Sequence, residues 1–152
     1  MTYLLVKWLH ILSATILFGT GVGSAFYMFM ANKSRDLHSV VFATRAVVLA
    51  DWLFTAPAVV LQLLTGLYLA DLAGLPLTTH WVAWSLVLYF FAGACWLPVV
   101  RLQIKMRDLA KKVFDAGQEL PPEYWRMARW WTVLGCLALP AIVVVFYLMV
   151  FK

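Results

Sequence analysis

Charge is what this sequence has least of. Of its 152 residues only 12% are Asp, Glu, Lys or Arg, about half the share usual in a soluble domain. So few charges cannot cover the surface of a water-exposed globule, and 64% hydrophobic residues exclude a disordered chain. Cysteine is almost absent. Cys95 and Cys136 both lie inside apolar runs, which gives neither a secreted disulfide framework nor a metal-site spacing. No hydrolase triad, phosphate loop or dinucleotide fingerprint appears. Gly19, Gly21 and Gly23 follow no strand, so they form no nucleotide loop. Internal repeats and low-complexity tracts are absent too. Apolar and aromatic residues fill the space left, with eight Trp, six Tyr and ten Phe. Aromatic girdles at bilayer interfaces absorb part of such an excess.

The apolar residues fall into four runs, at about 3–30, 46–70, 81–100 and 130–151. Each reaches the roughly 20 residues that a helix needs to cross about 30 Å of hydrocarbon. Backbone polar groups in lipid must be satisfied within the segment, so the spans are helices. Lys7 lies inside the first run and no basic residue precedes it. That run is read as a first span and not as a signal peptide. The fold class expected is all-α, an integral membrane up-down-up-down four-helix bundle in a single domain covering residues 1–152.

The net charge of +5 would suggest nucleic acid in a soluble protein. Here the cations sit in two short connections, so topology explains them and nucleic acid is not an expected partner. Asn32–Arg45 carries Lys33, Arg35 and Arg45. Arg101–Arg129 carries Arg101, Lys105, Arg107, Lys111, Lys112, Arg126 and Arg129. Only Lys7 and Lys152 lie on the other side. The positive-inside rule then predicts a multi-pass membrane protein with both termini outside the cytoplasm. In the long third connection Leu102, Met106, Leu109 and Val113 form an apolar stripe, which predicts an amphipathic helix over about 101–116. Gly117 is placed to end it, and Pro121–Pro122 to open the last helix.

Polar residues inside a membrane are expensive and mark sites. His10 lies in the first span, and neutral imidazole is the commonest axial ligand of haem iron. His80 opens the third span after Thr78 and Thr79, which are suited to cap it. Spans one and three run parallel and are diagonal in a four-helix ring. His10 and His80 are therefore a candidate pair for holding a haem b between them. The alternative for each is an ordinary hydrogen-bonded or interfacial histidine. His38 reads as plain surface in a loop. Span two carries Asp51, Thr55, Ala58, Gln62 and Thr65 at i, i+4, i+7, i+11 and i+14, a narrow polar face pointing into the bundle. It reads as an ion or proton path, a site for polar groups of a cofactor, or interhelical hydrogen bonding. Pro57 frees the carbonyl of Leu53 and predicts a kink there. Gly19 and Gly23 form a GxxxG pair that suits close helix approach. A metal site from Cys95, Cys136 and Asp51 is the least favoured reading.

The stretches YLLVKWLHILSATILFGTGVGSAFY, ADWLFTAPAVVLQLLTG and VLYFFAGACWLPVVRLQIKMRDLA resemble a bacterial family of small predicted integral membrane proteins that carries no assigned activity. Through VKWLHILSA alone the chain is also similar to four-span cytochrome b-like proteins, including HemJ-type protoporphyrinogen oxidases and CopD-type copper-resistance proteins. That likeness implies a haem ligand at His10. The third-span lysine of the HemJ type has no counterpart between His80 and Arg101, a departure from the pattern that goes with protoporphyrinogen oxidation. The first expectation is thus a b-type haem protein moving electrons, with a quinone or a membrane redox protein as partner beside the lipid bilayer. The alternatives are a haem-free accessory protein and a small ion or metal permease. Whether the chain is an enzyme, and whether it forms an oligomer, stay open.

Overall fold

The computed structural model describes residues Met1–Phe151 and is all-helical there. Four long apolar helices run α1 Thr2–Ser34, α2 Leu37–Leu72, α3 His80–Asp115 and α4 Pro122–Val150. With four antiparallel passes both termini lie at one end, here called the terminal end. The two cationic connections lie at the other, the basic end.

The first connection is shorter than the sequence suggests. Helix α1 continues to Ser34, Arg35 takes the left-handed conformation (φ 55°), and α2 begins at Leu37. Asp36 makes so tight a turn stable: its Oδ2 accepts from the Ser39 backbone N–H at 2.8 Å and from the Ser39 hydroxyl at 2.6 Å. His38 is consequently not in a loop. It sits in the first turn of α2 with its ring edge-on to Phe114, centroids 4.8 Å apart. Helix α3 does not stop at the membrane boundary but runs unbroken to Asp115. Gly117 (φ +63°) closes it, with Gln118 N–H donating to the Val113 carbonyl at 3.0 Å. Thr79 occupies the N-cap position of α3, but its side chain makes no cap hydrogen bond.

Between Asp51 and Thr55 helix α2 widens into one π turn. Pro57 supplies the reason. It has no N–H to give and its ring crowds the Leu53 carbonyl one turn back, which loosens the ladder there.

The packed core lies at the basic end. Met28, Val40, Met106 and Tyr124 are fully buried there, and Ala43, Ala110 and Ala128 let the helices approach closely. Tyr124 donates its hydroxyl to Asn32 Oδ1 at 2.7 Å, tying α4 to α1. The buried line of α3 is Val99, Gln103, Met106, Ala110 and Val113. The predicted stripe shares Met106 and Val113 with it, but Leu102 and Leu109 only flank it. Two cavities open between the helices, one bordered by Asp51, Gln103 and Trp131 and the other at the terminal end. The outer surface is a belt of exposed Leu, Val, Phe and Trp, as lipid contact requires.

Candidate functional site

The polar face of α2 turns inward along its whole length. Asp51, Thr55, Ala58, Gln62 and Thr65 are all buried. They do not form one site. The face divides into two clusters that meet different helices.

Nearer the terminal end, Gln62 and Thr65 meet His10 and Ser13 of α1. The Thr65 hydroxyl donates to the Leu61 carbonyl, which leaves its oxygen to accept from His10 Nδ1–H at 2.8 Å. The Gln62 amide nitrogen donates to His10 Nε2 at 3.0 Å, and the Gln62 oxygen accepts from the Ser13 hydroxyl at 2.5 Å. The network assigns a neutral imidazole with its proton on Nδ1. Each polar side-chain atom of the cluster has a partner within the protein. The imidazole can lie this close to α2 because residue 66 is glycine: a Cβ there would stand 3.1 Å from His10 Cε1.

Toward the basic end, Asp51 meets α3 and α4. With its amide nitrogen turned toward Asp51, Gln103 donates to Asp51 Oδ2 at 2.6 Å and accepts from the Trp131 indole N–H at 3.1 Å. Thr55 and the Trp96 indole also lie beside the Asp51 carboxyl. Neither Thr55 Oγ1 nor Trp96 Nε1 completes a hydrogen bond, although both atoms are buried. Thr55 itself is only 6% exposed. A buried polar atom without a partner is costly. Two of them beside one carboxyl, facing a cavity, describe an unfilled polar socket. The cavity is about 350 Å³ and is otherwise walled by apolar or small side chains such as Leu17, Gly93, Leu139 and Phe146.

Gln103, Trp96 and Gly66 were not among the residues singled out from the sequence. Gln103 carried a usable signal: it falls four residues after Val99 and three before Met106, on the buried line of α3. His80 is placed apart from His10. It is exposed, with its ring 6.5 Å from that of Trp84, and it is not among the residues lining the cavity that His10 borders. Cys95 is buried and Cys136 exposed. Among the described residues no three of His, Cys, Asp and Glu are grouped to hold a metal ion. The GxxxG glycines 19 and 23 meet nothing within 4 Å, so they serve no close helix contact inside this chain.

A family model described as "Predicted integral membrane protein (DUF2269)" matches residues 4–152. The chain belongs to this DUF2269 family. Searches of curated proteins and of solved structures gave no match. DUF2269 membership fixes an integral membrane protein and names no chemistry. The residues present do not fit a haem held between His10 and His80. Ligation at His10 Nε2 would require Gln62 to leave it, and His80 is exposed outside the cavity.

Proposed function

We propose that this DUF2269 protein is a membrane receptor or carrier for a bilayer-dissolved molecule with an apolar body and a hydroxyl head. The unpartnered Thr55 hydroxyl and Trp96 N–H beside Asp51, at one end of an apolar cavity, carry this reading. A single hydroxyl answers both needs of that socket. Its oxygen accepts from the Trp96 indole, and its proton goes to the Asp51 carboxylate oxygen that Gln103 does not hold. The Thr55 hydroxyl can complete the set as donor or acceptor. A quinol belongs to this class, and it links the cavity to the electron-transfer expectation without a metal ligand. Small concave sites of this kind are mostly apolar with a few placed polar groups. The ten cations at the basic end support an orientation with both termini outside the cytoplasm, so the socket would open toward the inner leaflet half.

Binding of a decyl hydroquinone and of its dimethyl ether tests the reading, with quenching of Trp fluorescence as readout. The hydroquinone should bind, and the ether, which cannot donate, should bind about tenfold more weakly. Asp51→Asn should weaken the hydroquinone and leave the ether unchanged, whereas Trp96→Phe, which removes a donor that either oxygen can accept from, should weaken both. Equal binding of the two probes in the wild type, or no effect of either substitution, overturns the proposal. A reporter fused after Gly117 should give a cytoplasmic signal and one at the C-terminus should not.

A further inference from the structure

The second cavity differs from the first in its polar chemistry. It lies at the terminal end, is half open, measures about 440 Å³, and takes wall from all four helices and from the connection between α2 and α3. Its polar side chains are spoken for. His10 and Gln62 hold each other. The Ser85 hydroxyl donates to the Trp81 carbonyl at 2.7 Å. The Tyr89 hydroxyl donates to the Val59 carbonyl at 2.8 Å. Apart from Lys7 and the rings of Tyr3 and Trp81, the remaining wall is aliphatic or small, with Leu63, Leu67, Leu86, Val145 and Met149.

One group departs from this pattern. Lys7 lines the cavity, is exposed, and packs its ammonium 5.9 Å from the Tyr3 ring centroid. Neither ion pair among the described residues involves it. It stands one turn from His10, about 5 Å along the helix, near the start of α1. That is headgroup depth for a helix that enters the bilayer at its first residues, and the long Lys stem reaches the interface readily. A largely apolar chamber whose His10, Gln62, Ser85 and Tyr89 are hydrogen-bonded within the protein, with a lysine outside either ion pair of the described residues at headgroup level, selects for a long apolar chain with an anionic head.

We propose that this cavity seats one acyl chain of an anionic bilayer phospholipid, with its headgroup held by Lys7. On α3 the chamber runs from Trp81 to Tyr89, about 12 Å of helix, which is room for a large part of one chain. The site stands independently of the socket at Asp51. The two cavities touch at Gln62, Tyr89 and Val145, but neither polar anchor belongs to the other.

The test reconstitutes the full chain in nanodiscs of equal phosphatidylglycerol and phosphatidylcholine, then measures by native mass spectrometry the lipid kept after release. Wild type should retain one phosphatidylglycerol in preference to phosphatidylcholine. Lys7→Ala should reduce that preference about fivefold, the size of a single Lys attraction to an anionic surface. Lys7→Arg should preserve it. Leu67→Trp should abolish retention by filling the chamber, with helical circular dichroism unchanged. If Leu67→Trp loses helix, Leu86→Trp takes its place. Equal retention of the two lipids, an unchanged preference in Lys7→Ala, or recovery of free fatty acid in place of phospholipid overturns the proposal.

Discussion

The two polar clusters on α2 are built from similar residues and differ in their bookkeeping. At His10 each polar side-chain atom finds a partner inside the protein: Thr65 donates to Leu61, His10 to Thr65, Gln62 to His10 and Ser13 to Gln62. At Asp51 the chain stops short, because Thr55 and Trp96 sit beside the carboxyl and bond to nothing. A closed network fixes the position of two helices. An open one of the same size leaves hydrogen bonds for something else to make. The difference separates structure from site more reliably than residue type does, since histidine is the more familiar ligand and here it is the group already satisfied.

The largest expected effect falls on the closed cluster. His10→Ala removes two interhelical hydrogen bonds and leaves a hole against Gly66, so it should cost about 2–3 kcal/mol of stability in detergent. Thermal unfolding followed by circular dichroism measures it. A loss no greater than that of Asp51→Ala would erase the contrast. Next comes Gly66→Val, whose Cβ must push the His10 ring aside. It should cost roughly 1–2 kcal/mol, whereas Gly19→Val, built into open space, should be close to neutral in the same assay. The sharpest comparison is a matched pair. Thr65→Val should lose about 0.6 kcal/mol with its bond to His10, while Thr55→Val, which breaks no bond, should lose none and should instead weaken the hydroquinone.

The smallest effect lies outside both clusters. The Ser39 hydroxyl bonded to Asp36, followed by the Ser39 backbone N–H, holds the Asp36 carboxyl below the usual carboxylate range. A depressed folded-state pKa adds stability above the unfolded pKa and loses it as pH falls through the folded one. The cap of α2 should therefore be full at neutral pH and weaken slightly as pH falls through the carboxylate range. Asp36→Asn should flatten that slope in an unfolding-midpoint series. A steep slope surviving in Asp36→Asn would remove Asp36 as its source.

The four spans were legible because lipid imposes a length and a polarity on each helix, and the periodicity of Asp51, Thr55, Gln62 and Thr65 showed a buried face in advance. Which neighbour each of them meets was not legible, because that depends on how α1 and α3 are rotated against α2. Periodicity within one helix carries no such information. For the same reason Gly66 looked like any glycine, and its role exists only once the His10 ring is set against it. His80 looked diagonal to His10 on the order of helices alone. It stands exposed at the first residue of α3 instead, outside the cavity that His10 borders. Asp36 hid the shortness of the first connection, since a cap reads in sequence much as a loop does.

The π turn at Asp51–Thr55 has a consequence for phase. One residue added to a helical turn swings everything beyond it by about 100° relative to an unbroken α-helix. Sequence spacing alone would aim Asp51 and Gln62 the same way; in the folded chain Asp51 faces Gln103 on α3, and Gln62 faces His10 on α1. The widened turn thus works as a clutch between the two halves of α2, letting one continuous helix answer two neighbours at once. Deleting a single residue there, such as Leu53, would leave the helix intact and its hydrophobicity nearly unchanged, yet would rotate Gln62 and Thr65 away from His10 together.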